Sequence, residues 1–181
     1  VSIYSTFLQR SYDQIIHDVN LLHENVVFAV DRAGFVPGDG ETHQGNFDLS
    51  YLTMIPNMTV MAPKNQWELA QMLEFAVEAE GPVAIRYPRG SAWQGRKEFT
   101  TPVEYGRSEV LFRGKDTAIL SAGSMTAVCD QVYKEMKARG ENPTFVNARF
   151  IKPLDTALLD ELAADHKLFV TVEENVKNGG F

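Results

Sequence analysis

Short β-branched runs alternate with amphipathic stretches along the chain, the pattern of a mostly parallel sheet covered by helices. The first half carries four predicted strands, 1–6, 26–30, 58–62 and 83–87. Between the first two, Leu8, Tyr12, Ile15, Ile16, Val19 and Leu22 recur at helical spacing, with Arg10, Asp13, Gln14 and Asp18 on the opposite side. Between the last two, Asn65 and Glu68 predict an N-cap with a capping-box partner. Leu69, Met72, Leu73 and Ala76 form the apolar stripe, and Gly81 is the stop. From Gly90 to Gly106 both periods are lost, and the stretch 91–106 reads as a linker. A second α/β unit follows, with strands at 109–112, 117–121, 144–147 and 168–172 and helices at 124–139 and 155–165. Gly140 ends the first of these helices, and Pro153 precedes the second. The expected fold is therefore α/β: two mostly parallel-sheet units with covering helices, 1–90 and 107–181. Both units are expected to be incomplete, because strand-like runs stand directly at Val1 and just before Asn178-Gly179-Gly180-Phe181.

Composition narrows the function classes. With 44% hydrophobic and 10% aromatic residues, the chain can bury a core, and disorder is excluded. It has no apolar run of membrane-spanning length. The 17 Lys and Arg against 24 Asp and Glu leave a net charge of −7, which argues against a nucleic-acid-reading surface. An anionic ligand must then be held by a few local cations. The single cysteine, Cys129, cannot form an internal disulfide and is assigned to core packing.

The chemistry concentrates in the segment from Asp31 to Gly45, DRAGFVPGDGETHQG, which holds four glycines, two aspartates, Arg32 and His43. It follows a strand, so in an open α/β sheet it lies at the carboxyl edge, where ligands bind. Glycines admit close backbone approach, and His43 is the side chain there that titrates near neutrality. The alternative is a surface Ω-loop that uses glycine for its turns. Arg86-Tyr87-Pro88-Arg89-Gly90 closes the fourth strand on the same edge. Its arginines suit either an anion clamp or a surface ion pair.

Other signals fail on spacing. Gly38-Asp39-Gly40 with a later Asn65 imitates a diphosphate-binding motif, but Asn65 is better placed as a helix cap. His17 and His23 do not share a helix face, and no Cys/His cluster exists. Gly123-Ser124 lacks the Gly-x-Ser-x-Gly elbow, so Ser124 is assigned to capping the helix. Glu173 and Glu174 are adjacent and so face apart on a strand, which favours a solvated or inter-domain role over paired acid/base work.

Taken together, Tyr4-Ser5-Thr6-Phe7-Leu8-Gln9-Arg10, the Asp31–Gly45 loop, Phe47-Asp48-Leu49-Ser50-Tyr51-Leu52, Arg86-Tyr87-Pro88-Arg89-Gly90, Lys152-Pro153-Leu154-Asp155 and Glu173-Glu174-Asn175 resemble one family end to end. That family is the 1-deoxy-D-xylulose-5-phosphate synthases, transketolase-like thiamine-diphosphate enzymes. The resemblance implies the later part of a pyrimidine-binding domain joined to the early part of a C-terminal domain. It also implies a homodimer that joins pyruvate to D-glyceraldehyde 3-phosphate with loss of CO2, at the entry to isoprenoid synthesis. Thiamine diphosphate and Mg²⁺ are the implied cofactors, with most of their site upstream of this chain, so the chain alone is expected to be inactive. Residue by residue, the resemblance sets Phe7 against the aminopyrimidine and has Tyr4, Arg10, Arg32, Asp39 and Arg89 line the acceptor pocket. His43 falls near the reacting carbon. The rival readings are a transketolase or 2-oxo-acid dehydrogenase β subunit and a non-catalytic assembly module. Nucleic acid and membrane are not expected partners, and the implied compartment is the cytoplasm or a plastid stroma.

Overall fold

The computed structural model describes all 181 residues. The first sheet has the order β1-β2-β4-β3-β8, built from β1 (Ser2–Tyr4), β2 (Val27–Asp31), β3 (Thr59–Met61), β4 (Val83–Arg86) and β8 (Phe150–Lys152). Its first four strands are parallel, and β8 pairs antiparallel with β3. The second sheet has the order β5-β7-β6-β9, from β5 (Glu109–Phe112), β6 (Asp116–Ser121), β7 (Thr144–Asn147) and β9 (His166–Val172). Here β5 is the antiparallel edge. The architecture is α/β with two mostly parallel sheets.

Strand alternation divides the core as the period-2 rule requires. On one face of the first sheet, Phe28, Val30, Val60, Ala84 and Ile151 bury against Leu8 of α1 (Ser5–Leu8) and Leu49 and Leu52 of α3 (Asp48–Met54). On the other, Met61, Val83, Ile85 and Phe150 bury against Met72 and Ala76 of α4 (Gln66–Glu78). In the second sheet, Leu111, Ile119 and Phe145 meet Cys129 and Tyr133 of α5 (Met125–Ala138). The reverse face, Ala118, Leu120 and Val146, meets Leu158 and Leu162 of α6 (Thr156–Ala163). Cys129 is thus a core residue, and burial pushes its thiol up to about 11.

Several expectations need correction. The first predicted helix is broken into α1, a 3-10 turn at Gln9–Ser11, α2 (Tyr12–Gln14) and a π segment at Ile15–Asn20. The wider π turn moves the stripe out of phase, and Leu22 beyond it is exposed. In α4, Asn65 caps as expected, its side chain accepting from Glu68 N, but Leu73 faces outward and Glu68 is buried in its place. Ser124 does not cap α5 through its side chain, because its hydroxyl is given to Glu174 instead. Strand β8 escaped the periodicity altogether, and it carries the chain of the second unit back into the first sheet. Strand β9 is an uncovered edge, with Leu168, Phe169 and Val170 exposed.

Four buried charges join the two sheets. Lys64 Nζ lies 2.9 Å from Glu68 Oε1 and 2.6 Å from Glu109 Oε2, while Arg149 reaches the same two carboxylates at 2.7 and 2.9 Å. Asn147 Nδ2 donates to Glu68 as well, at 2.8 Å. Two cations and two anions balance, which makes this degree of burial tolerable. Burial alone would raise the Glu68 carboxyl, but Lys64 and Arg149 outweigh it and hold the group below its usual range.

Candidate functional site

Three neighbouring parallel strands end together at one edge. Tyr4 pairs with Asp31, and Val30 with Arg86, so the segments leaving β1, β2 and β4 emerge side by side. The segment after β2 closes into a loop through a two-bond bridge, Gly34 N to Gly45 O at 2.6 Å and Gly45 N to Gly34 O at 2.8 Å. Only glycine fits at Gly45, since a Cβ there would lie 2.1 Å from Arg32 O. Above this neck, Gln44 braces the loop from within. Its Oε1 accepts from Val36 N at 2.7 Å, and its Nε2 donates to Gly40 O at 2.6 Å. The loop is therefore held in one shape, with two 3-10 turns at Pro37–Asp39 and Glu41–His43.

Arg32 begins the loop in the left-handed region, at φ 54, which is unusual for a side-chain-bearing residue and is common at functional sites. The turn brings its guanidinium over the Tyr4 ring, 3.8 Å from the centroid. It also pairs with Asp31, and its Nε donates to Asp39 Oδ2 at 3.2 Å. Arg89, beyond β4, donates to the other Asp39 oxygen at 2.5 Å. Phe7 also stacks on Tyr4 at 5.3 Å with its plane 14° off, and His43 meets Phe7 edge-on at 5.3 Å. Thr42 Oγ1 lies 2.8 Å from His43 Nδ1, which leaves Nε2 unpaired. Tyr4, Phe7, Arg32, Asp39, His43 and Arg89 thus form one connected cluster, although they come from three segments of the chain.

Arg10 stands apart. It is exposed on the 3-10 turn after α1 and makes no side-chain hydrogen bond to the cluster. Arg86 also differs from expectation, being neither an anion clamp nor a surface ion-pair partner. It is buried, donating to both oxygens of Asp48 at 2.9 and 3.2 Å and to Glu174 O at 2.9 Å. With those acceptors filled, it supports the edge from below. Beside it, burial and the Asp48 carboxylate raise the Tyr51 hydroxyl, so it stays a donor, 3.4 Å from Ser5 O.

Gln44 and Asp48 were not singled out in the sequence, although both lie within or next to quoted segments. A glutamine among loop glycines and an aspartate opening a helix each have commoner surface roles, so neither type carried a signal. A concavity of about 780 Å³ lies at the opposite, amino end of the strands beside His23, Asn57, Phe75 and Tyr105. It has none of the cluster's charge pairing and is not the site.

Residues 1–93 match the family model "Transketolase, pyrimidine binding domain", and residues 106–181 match "Transketolase, C-terminal domain". The chain belongs to the transketolase family. It is 51% identical over 181 residues to 1-deoxy-D-xylulose-5-phosphate synthase of Lachnoclostridium phytofermentans, covering 100% of this chain and 29% of that protein. The same enzyme from Dictyoglomus thermophilum is also 51% identical over 181 residues, covering 99% of this chain and 29% of the relative. That of Nitrosomonas europaea is 51% identical over 182 residues, with the same shares, 99% and 29%. This transketolase-family chain therefore spans about 29% of the length of these curated relatives. A solved structure described as "Split gene transketolase, inactive beta4 tetramer" superimposes with a TM-score of 0.90 at 32% identity, covering 99% of this chain and 58% of that one. No helix is long and apolar enough to cross a membrane.

Phe7 is 41% exposed although stacked on Tyr4, which leaves flat aromatic surface open at this edge of the sheet. No group of three or more His, Cys, Asp or Glu side chains is arranged to hold a metal ion.

Proposed function

We propose that this chain is part of a 1-deoxy-D-xylulose-5-phosphate synthase, which condenses pyruvate with D-glyceraldehyde 3-phosphate, with loss of CO2. The observation that carries the reading is the meeting of Arg32 and Arg89 on Asp39, one cluster away from Phe7 and His43, at a single sheet edge. Two arginines from separate strand ends suit a phosphate. The aromatic pair suits a flat cofactor ring, and the histidine suits a reacting oxygen between them.

In this reading Arg89 and Arg32 hold the acceptor's phosphate through charge-assisted hydrogen bonds. Tyr4 and Asp39 line the same pocket, and Arg10 contributes from its outer rim. Phe7 orients the aminopyrimidine by stacking. His43, its ring fixed by Thr42, presents Nε2 to exchange a proton with the carbonyl or alkoxide oxygen of the acceptor. Thiamine diphosphate, when bound, supplies the carbanion chemistry that side chains lack. The diphosphate and Mg²⁺ are held by residues outside this chain, within a homodimeric, cytoplasmic protein of the relatives' length.

The similar transketolase structure is described as inactive, which favours a second statement: these residues alone turn over nothing. Assay of pyruvate with D-glyceraldehyde 3-phosphate checks both. The protein at the full length of its relatives is expected to form the pentulose phosphate and the isolated 181-residue chain none. The full-length His43→Ala variant is expected to lose kcat more than it raises either KM. No product from the full-length protein would overturn the reading.

A further inference from the structure

The loop that carries Arg32, Asp39 and His43 is clasped from outside by the second unit. After β9 the chain crosses the neck of the loop. Glu174 Oε1 accepts from Phe35 N at 3.3 Å, and its Oε2 accepts from Ser124 Oγ at 2.5 Å. Its backbone carbonyl takes the 2.9 Å bond from Arg86. On the other arm, Val176 N donates to Asn46 O at 2.9 Å, and Ser50 Oγ donates to Asn178 O at 2.6 Å. The Glu174 carboxylate lies so close over Gly34, at φ 84, that a Cβ there would come within 2.8 Å of it. Glu174 makes no hydrogen bond to Arg32, Asp39 or His43, so any influence on the pocket passes through the neck.

The Gly34 and Gly45 bridge closes the loop but does not fix its tilt, because glycine backbone turns freely. A bond to Phe35 N, one residue above the bridge, removes that freedom. We propose that Glu174, oriented by Ser124, is a positioning residue that sets the distance of Arg32, Asp39 and His43 from Tyr4 and Phe7. The inference rests on the acceptor-site reading of this loop and assigns its alignment to the second unit. Alanine at 174 leaves Phe35 N–H and the Ser124 hydroxyl without partners. Glutamine keeps an acceptor for the first and offers its amide N–H to the second, so geometry survives without charge.

The test uses the full-length protein with Glu174→Ala, Glu174→Gln and Ser124→Ala, reading amide hydrogen exchange and both KM values. Glu174→Ala is expected to speed exchange across 34–45 while β2 and β4 keep their protection. It should raise the KM for D-glyceraldehyde 3-phosphate about five- to tenfold with pyruvate KM unmoved, and Glu174→Gln should stay within about twofold of the parent. Ser124→Ala should move both readouts in the same direction by less. Unchanged loop exchange in Glu174→Ala, or exchange raised equally in both sheets, overturns the inference. So does faster loop exchange without a rise in acceptor KM, if Arg89→Ala does raise it. If neither variant moves the acceptor KM while loop exchange rises, the clasp is supported and the acceptor reading falls.

Discussion

Arg32 and Arg89 are tied to the same carboxylate, yet they differ in what they have left to offer. Arg32 is 22% exposed and already serves Asp31, Asp39 and the Tyr4 ring, whereas Arg89 is 49% exposed with a single partner. An incoming phosphate therefore finds unpaired N–H groups mainly on Arg89. Arg89→Ala is expected to raise the acceptor KM more than tenfold, roughly the loss of one charged contact, while pyruvate KM stays near its starting value. Arg32→Ala should combine a smaller KM effect with a loss of thermal stability, since it also unties Asp31 and Asp39. Steady-state kinetics with both substrates, alongside thermal melts, separates the two arginines, and an equal rise in both KM values would remove Arg89 from the phosphate site. The resemblance singled out Arg89, but strand pattern alone could not tell it from Arg86, for a reason that is equally local. Both stand near the end of one strand, and only the burial of Asp48 beneath the sheet decides which of them is consumed.

Among the elements, those with strong local periodicity or cap chemistry were legible. Helix α4 could be read from Asn65 and its stripe, and strands β5 and β7 fell where their β-branched runs stand. What escaped was set by partners distant in sequence. Strand β8 is three residues long and pairs with the edge that β3 offers, and the π segment before Leu21 packs Ile15, Ile16 and Val19 into the core under the first sheet. The glycine-rich loop was legible as a site but not as a shape: its neck and the Gln44 brace depend on contacts that no short pattern encodes. The neck is where the element is most exposed to substitution. In Gly45→Ala the new methyl would collide with Arg32 O, a backbone atom that cannot step aside without moving the arginine. We expect about 1–3 kcal/mol of destabilisation, typical of overpacking, with lost acceptor binding. Gly40→Ala, whose Cβ meets nothing within 4 Å, should leave the neck closed and destabilise by a comparable amount, about 1–3 kcal/mol, through its backbone alone, since φ 76 and ψ 179 lie in a region open essentially to glycine. Amide hydrogen exchange at positions 34 and 45 checks the contrast, and equal exchange in both variants would mean that the neck is not the constraint.

At the scale of the whole molecule, the two sheets act as one body because charge is buried between them. Lys64 and Glu68 belong to the first unit and Glu109 and Arg149 to the second, and each cation bonds to both carboxylates. Removing one member strands an opposite charge in the interior, so Arg149→Met is expected to cost about 3–5 kcal/mol. The same quartet gives the molecule an acid limit. Glu68 is held below its ordinary value of 4.5 in the folded state, against the pull of its own burial, by Lys64 and Arg149. A depressed folded pKa means that the unfolded chain takes up the proton first as pH falls. The stabilisation is therefore complete above the ordinary value and is lost below it, as pH drops through the folded pKa. Urea midpoints should hold between about pH 7 and about pH 5, then fall steeply. Glu68→Gln should be weaker at neutral pH and show a shallower acid fall, because the group that titrates has gone. An acid fall as steep in Glu68→Gln as in the parent would move the limit to other carboxylates. The loss should also reach the loop at the ligand edge, since Glu174 clasps its neck only while the second unit stays docked.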